Sequence, residues 1–567
     1  MKKSNYLILL LIVLAAGGCS RQQTNEQVTV NTSNSTIETE IVTKDIEAEA
    51  AADENIDTLY PAFILKDDDK LFGYINSTGN FVIEPVYDQA SDFSDGVAVV
   101  HDSQTNEYIM IDRQGNVIYK TTNIIGEFKE GYAVFEVYKD NKSLDGYIDT
   151  TGTIILPAVY NAASSFKDGK AYVYTENQIQ QIDTEGNVLN SYTLKENDIY
   201  ISDFRNGYIV YNTMGSNIME AMNYRGEKIP LPVNVSENYT GYSNLFYLGE
   251  DIFAVMQKTD IEDYSSVYTT PYALFDAKGK QLTDYIYYDL SNYSEGVASA
   301  TDDNYTYFID TSGKTVSTLP KFEGRGTLTL KDEIIKAEID NDFSYETTSG
   351  KVIYETVDDI KLNDTLTLKS EKFKSNKYVV VRYPILTGLS NSQVEKQINE
   401  ELYKIFVDGR KDLTKEDNLS VDDNFKGSVI NNVLLINQTG YDYPMGAAHG
   451  MPIRNYYPID LTTGKIYELS DLFKADSNYV EVLSAIVATK VKEDSAKDES
   501  IYFDDSAPAI AADQYFYLDE TNLYLYFYPY DIAPYAAGFP EFKIPFDSIR
   551  DILNYDGDFY KALNPIK

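Results

Sequence analysis

The chain has 567 residues, 43% of them hydrophobic, with 50 Tyr, 25 Phe and no Trp, which is enough length and apolar content for several folded domains and excludes a largely disordered chain. Its 89 acidic and 48 basic side chains give a formal charge of -41, which disfavours nucleic acid and anionic membrane surfaces as partners, because both are bound by cationic side chains. One Cys and two His exclude a disulfide framework and a Cys/His zinc site.

The N-terminus carries Lys2 and Lys3 and then an apolar run from Tyr6 to Ala16, the pattern of a signal peptide and too short for a membrane span. The run ends in Ala16-Gly17-Gly18-Cys19-Ser20, with the only Cys of the chain at its end. This segment resembles the lipobox of bacterial lipoproteins, although Leu is commoner than Ala at the position of Ala16. The resemblance implies a signal peptide over 1–18, cleavage before Cys19, lipidation of Cys19 and anchoring to the outer face of the bacterial membrane. Loss of Lys2 and Lys3 would take the formal charge from -41 to -43. Residues 19–57 are rich in Thr, Asn, Gln, Glu and Ala without apolar periodicity and read as a disordered tether, with a root-mean-square span on the order of 35 Å.

Residues 58–355 repeat one pattern. The clearest copies are 72–100 (FGYINSTGNFVIEPVYDQASDFSDGVAVV) and 145–173 (DGYIDTTGTIILPAVYNAASSFKDGKAYV). Each reads as strand, tight turn, strand, then an aromatic-and-Gly stretch leading into a third strand. The turn glycines are Gly79, Gly115, Gly152, Gly186, Gly226, Gly279, Gly313 and, less regularly, Gly350, with one insertion between Gly226 and Gly279. Asp112, Asp149, Asp183, Asp276 and Asp310 open these turns as hydrogen-bond acceptors, and Gly supplies the positive φ three residues on. The units resemble WG-type β repeats of bacterial surface proteins, with Phe72-Gly73 and Asp145-Gly146 where Trp-Gly is usual. Units this short bury no face alone and must stack, in a propeller or in an open β solenoid. No D-x-D-x-D-G loop is present, so the carboxylates read as turn formers and no metal site or cofactor is expected. Asp67-Asp68-Asp69 and Asn554-Tyr555-Asp556-Gly557-Asp558 read as solvated loops, and His101 as a loop residue after a third strand.

Residues 360–567 follow an α+β pattern. Lys377–Leu386 and Ser428–Tyr443 read as strands, and Ser392-Gln393-Val394-Glu395 as a capping box opening a helix with Val394, Ile398, Leu402 and Ile405 on one face. Further helices are expected from about Asn478 and over Ser548–Asn554, with a hairpin in residues 515–531 that turns at Asp519 to Asn522. The fold class is therefore mainly β and multi-domain, repeated antiparallel hairpins followed by an α+β domain.

Two stretches of this part, 441–474 (YDYPMGAAHGMPIRNYYPIDLTTGKIYELSDLFK) and 526–547 (YFYPYDIAPYAAGFPEFKIPFD), resemble the extracellular domain of anti-sigma-V factors, which sense lysozyme, and the N-terminal region of certain peptidoglycan deacetylases. The resemblance implies recognition of lysozyme or of a cell-wall component. The cytoplasmic part of an anti-sigma factor and a deacetylase catalytic domain have no counterpart in the residues given, so neither activity is carried over. His449, between small residues in a turn, suits loop-holding, ligand contact or, with a partner, base catalysis. No G-x-S-x-G or H-E-x-x-H motif accompanies it. Tyr441, Tyr443, Tyr528, Tyr530 and Tyr535 read as a binding groove or as core.

These readings make the protein a surface binding protein with a repeat scaffold, for which a cationic partner such as lysozyme suits the acidic charge. The alternatives are an architectural protein acting through its repeats and a wall-glycan hydrolase with a carboxylate pair that sequence does not display.

Overall fold

The structure, a computed structural model, describes residues 58–564 apart from 67–68, 195–198, 214–215, 217, 233–244, 258–268, 357–358, 497–500 and 504–508. The signal peptide, Cys19, the tether and part of the Asp67–Asp69 run lie outside the described residues.

Residues 60–355 form eight small antiparallel sheets, each a meander in chain order. They span 60–87 (sheet I), 89–121 (II), 124–160 (III), 162–193 (IV), 199–223 (V), 245–276 (VI), 289–323 (VII) and 326–355 (VIII). Each of the eight turn glycines has positive φ; six close the turn before the last strand of a sheet, and Gly226 and Gly279 follow the last strands of sheets V and VI. At Asp112, Asp149, Asp183, Asp276 and Asp310 the carboxylate accepts the N–H groups two and four residues on.

The sequence repeat is out of step with the sheets. In the first copy the strands on either side of Gly79 belong to sheet I, and the third strand, Val97–Asp102, belongs to sheet II. A single unit therefore bridges two sheets, and this is how neighbours are stitched. Tyr74, in the G-Y-I stretch of sheet I, is fully buried and donates to the carbonyl of Ser91 in the loop that leads into sheet II's second strand, at 2.8 Å. Tyr147 of sheet III does the same to Ser164 beside sheet IV, also at 2.8 Å. The glycines after Phe72 and Asp145 are required because the next strand crosses there. A Cβ at Gly73 would lie 2.3 Å from the Ile83 carbonyl oxygen, and one at Gly146 would lie 2.6 Å from that of Leu156.

Apolar clusters join I to II, II to III, III to IV, IV to V, V to VI, VI to VII and VII to VIII. An eighth cluster joins VIII back to I, with Tyr60, Ala62, Phe63 and Ile75 against Ile334, Phe343 and Tyr345. Eight sheets in an open stack share seven interfaces and a ring shares eight, so the sheets form a propeller ring and the solenoid alternative is set aside. The closing contact repeats the stitch found elsewhere, since Tyr345 of sheet VIII donates to the Pro61 carbonyl of sheet I at 2.9 Å. Among the described residues no strand is shared across the closure, which is held by packed side chains and by side-chain hydrogen bonds to backbone. His101 lies within the strand Val97–Asp102 and packs on Tyr108 across the sheet, not in a loop as the sequence suggested.

The rest of the chain holds a six-stranded sheet of 360–361, 367–376, 379–387, 419–430, 433–444 and 451–460, antiparallel except where Val379–Val381 pairs in parallel with Val421–Asp423. Helix α1 (Ser392–Tyr403), continued by a π turn over Lys404–Asp408, makes that parallel crossover and buries Ile398, Leu402, Phe406 and Val407 on the sheet. A three-stranded sheet (516–518, 522–526, 541–545) packs with helix α2 (Tyr479–Ser495) and helix α3 (Asp558–Leu563) around Leu483, Val487, Leu523, Leu525, Phe542 and Phe559. The α+β expectation holds.

Three local expectations are corrected. The cap of α1 is Asn391, whose side chain accepts from Gln393 and Val394, while Glu395 turns back to the Leu389 N–H; Ser392 is already helical. The expected strand over Ser428–Tyr443 is a hairpin that reverses at Asn431, which tolerates φ 53° as Asn does. The helix expected over Ser548–Asn554 is only a 3₁₀ turn at Phe546–Ile549, with α3 beginning later at Asp558.

The six-stranded sheet touches the ring through charges. Asp340, with 1% of its side chain exposed, pairs with Lys374 at 2.6 Å, Asp342 pairs with Lys372 at 2.6 Å and with Arg382, and Asp303 pairs with Lys377 at 2.8 Å. These three carboxylates sit on the turns between second and third strands of sheets VII and VIII. Burial pulls the Lys377 ammonium down to about 8 against the opposing pull of Asp303.

Candidate functional site around His449

The strands Val433–Pro444 and Met451–Asp460 are joined by the turn 445–450, pinned from below by the buried Met445, whose N–H donates to the Asn418 carbonyl at 2.8 Å. A Cβ at Gly450 would lie 2.3 Å from the Asp442 carbonyl oxygen, which is why Gly follows His449. A second loop, 528–540, comes from the three-stranded sheet, and its Tyr530 holds φ 75°, a left-handed conformation unusual for a Tyr. It is fixed by Tyr530 N–H to the Ala533 carbonyl at 3.0 Å and Tyr528 N–H to the Asp531 carboxylate at 2.9 Å.

The two loops bring four of the six candidate rings together. His449 stacks on Tyr535 with centroids 4.1 Å apart, and Tyr530 and Tyr535 are 5.8 Å apart. The Tyr441 hydroxyl accepts from Gly450 N–H at 2.7 Å and lies 3.3 Å from the Tyr535 hydroxyl. Tyr530 and Tyr441 are 51% and 37% exposed, so the cluster is a surface feature and not core. Tyr443 and Tyr528 stand apart from it. Tyr443 donates to the Ala447 carbonyl and braces the turn, and the Tyr528 hydroxyl lies 3.1 Å from Arg454 N and 3.2 Å from Asn455 Oδ1, tying the second loop to the strand.

Both nitrogens of His449 are engaged. Nδ1 lies 3.0 Å from the Gly450 carbonyl, which only accepts, so in the neutral ring Nδ1 carries the proton and Nε2 accepts from the Tyr530 hydroxyl at 3.0 Å. Neither of these two contacts is a carboxylate. The arrangement presents planar aromatic faces at the surface.

Two features around the cluster escaped the sequence reading. Arg410, just after the π turn, grips Asp442 through two nitrogens at 3.0 and 2.7 Å and Asp423 through Nε at 3.1 Å. It thereby holds the strand on which Tyr441 and Tyr443 stand. Asp423 is completely buried, and burial pushes its carboxyl up to about 6 in spite of Arg410. Beside the loops, Arg454 pairs with Glu541 at 2.8 Å and lies among Tyr456, Tyr517, Tyr526 and Phe539. Tyr456, Tyr517 and Tyr524 stack there in a row with 4.5 Å steps. The signal for this face was the alternation in Tyr515–Tyr526, with Tyr at odd positions of the first strand and Phe and Leu between them.

A further shifted carboxylate lies away from this cluster. Asp145 is pushed up to about 7 by burial and then by Glu136 opposite it, but it lies in sheet III and accepts the Ala163 N–H at 2.8 Å. A groove of about 660 Å³ runs along α1 between Tyr383 and Tyr403 and includes none of the six candidate rings. Among the described residues no group of three or more His, Cys, Asp or Glu side chains could hold a metal ion, and no helix is long and apolar enough to cross a membrane.

Comparison with known proteins separates the same two parts. Residues 72–100 and 146–178 match the WG containing repeat, and residues 470–547 match the family described as protein of unknown function (DUF3298). The chain carries WG repeats and a C-terminal DUF3298 segment. Over 208 residues it is 29% identical to the anti-sigma-V factor RsiV of Bacillus subtilis (strain 168), covering 34% of this chain and 71% of that one. Over 180 residues it is 26% identical to the peptidoglycan-N-acetylmuramic acid deacetylase PdaC of the same organism, covering 30% of this chain and 38% of that one. A crystal structure of a DUF3298 member from Bacteroides fragilis aligns with a TM-score of 0.29 at 18% identity, over 36% of this chain and 99% of that one.

Proposed function

We propose that this chain is an extracytoplasmic binding protein, anchored by lipid at Cys19, in which the ring of residues 58–355 is a scaffold and residues 360–567 recognise a lysozyme-like protein or another cell-envelope component. The observation that carries the reading is the exposed cluster of Tyr441, His449, Tyr530 and Tyr535. Its polar tips are tied to one another and to backbone, so it is rigid before any ligand arrives, and rigid aromatic surface is what recognition uses at low entropic cost. A cationic partner suits both the chain's charge of -41 and the electron-rich faces of tyrosine rings. The similarity to RsiV supports a binding role, and the exposed, mutually stacked rings around His449 support binding over catalysis.

Calorimetric titration of the full chain with a cationic lysozyme, at low and then high salt, tests this. Expected is binding that survives high salt and weakens at least tenfold in Tyr530→Ala, whose ring is half exposed and whose loss leaves the fold intact. Binding that disappears with salt would reduce the reading to charge attraction. No binding would move the function to the repeats.

A further inference from the structure

The ring carries a feature that the recognition site does not use. Among the described residues the outermost strand of each sheet has an outer edge that carries no further strand, only isolated bridges in sheets V and VI, and proteins ordinarily guard such an edge with charge or Pro. Seven of the eight are guarded. Phe81–Tyr87 has Glu84 and Pro85, Val117–Thr121 has Lys120, and Ile154–Tyr160 has Pro157. Glu220–Asn223, Tyr272–Asp276, Phe322–Glu323 and Val352–Glu355 each contain a carboxylate. Val188–Thr193 of sheet IV has neither, and from Asn187 to Leu194 no residue is charged.

Towards sheet III its neighbourhood is apolar as well, while on the other side the turn of Gly226 covers Tyr192. Val188 and Leu189 are 52% and 43% exposed, and the next strand inward, Gln178–Asp183, is uncharged until its last residue. The turn before Val188 abuts sheet III, since a Cβ at Gly186 would lie 2.8 Å from Leu156 Cδ2. Sheet III in turn exposes Ile154 and Val159 by 51% and 54% on its own outer strand. A register shift at the Leu189 end leaves Asn190–Thr193 as regular edge.

We propose that this edge of sheet IV is an interface between two copies of the chain, paired antiparallel through Val188–Thr193. Charge selects the occupant. At -41 two copies repel over most of their surface, and an uncharged strip is where they approach without placing like charges opposite one another. A cationic partner, by contrast, gains nothing on this strip. A strand pairing with itself about a two-fold axis is self-complementary by construction. Centred on Ser191, the pairing sets Asn190 of each copy against Tyr192 of the other, with Leu189 facing Thr193. The inference is independent of what residues 360–567 recognise.

Sedimentation equilibrium of the chain from Ser20 onward tests it. Expected is a reversible monomer–dimer equilibrium, abolished by Leu189→Lys with Asn190→Lys and equally by Thr193→Lys, all at exposed positions that leave the circular dichroism spectrum unchanged. Val117→Lys on the outer strand of sheet II leaves the dimer intact, and excess of the peptide NVLNSYTL dissociates it. A chain that stays monomeric at its highest soluble concentration overturns the proposal. So does a dimer that persists in both sheet IV variants, or one that Val117→Lys breaks as well.

Discussion

Replacing Arg410 with Met is the perturbation whose size the structure fixes best. Its guanidinium is the counterion of Asp423, a carboxylate with no solvent exposure, and of Asp442 between Tyr441 and Tyr443. Removing one partner of a buried pair leaves the other charge uncompensated, at a cost of about 3–5 kcal/mol. Asp423 can escape that cost by taking a proton. Its folded value is already raised to about 6 against 3.8 for the unfolded chain, so the native state holds the proton more tightly. The sign follows: its contribution is most favourable below the unfolded value and is lost as pH rises through about 6. Without Arg410 the folded value climbs further and the loss extends above pH 7. The Arg410→Met deficit is therefore expected to be about 3 kcal/mol at pH 7.5 and to shrink to roughly 1 kcal/mol at pH 5, where Asp423 is neutral in both proteins. Hydrogen exchange at amides 421–423 and 440–442, read by mass spectrometry, reports the local opening free energy without requiring two-state unfolding of so long a chain. Asp423→Asn in the Arg410→Met background should recover most of the loss at pH 7.5. A deficit that is the same at both pH values, or one that Asp423→Asn leaves untouched, refutes the argument.

The remaining expectations are simpler. Cys19→Ser should move the protein from the membrane pellet to the soluble fraction and abolish its labelling by radioactive palmitate. Gly79→Ala should lower the melting temperature by several degrees, because a Cβ there would lie 2.1 Å from the Ile353 carbonyl oxygen across the closing interface and φ is +87°; an unchanged melt would contradict closure through sheets I and VIII. Asp145→Asn should raise the melting temperature at pH 8 and have little effect at pH 4, since a folded value of about 7 against 3.8 unfolded costs stability progressively as pH rises between the two and in full above pH 7; equal effects at both pH values would count against this.

The ring was legible in the sequence because its determinants are local. A turn needs Asp and Gly three positions apart, and those eight punctuation marks counted the sheets correctly, even at Gly350, where Thr347 replaces the Asp. The frame of the repeat was not legible, because self-alignment finds a period and not its origin. Closure was not legible either, since it depends on Phe63, Phe343 and Tyr345 meeting across nearly 300 residues.

At the candidate site the limits are of the same kind. His449 and its neighbours could be named from one turn and one loop, and three of the five tyrosines do converge on it. Tyr443 and Tyr528 belong to the same motifs and do something else, because a side chain's neighbours are decided by strand register. Arg410 carried no local signal at all: its partners lie 13 and 32 residues away on two strands, and only the parallel crossover of α1 places it over them. Val188–Thr193 is the reverse case. Its lack of charge stands plainly in the sequence, but that absence means something only once the strand is known to be the outermost of its sheet, because an uncharged inner strand is ordinary and an uncharged open edge is not.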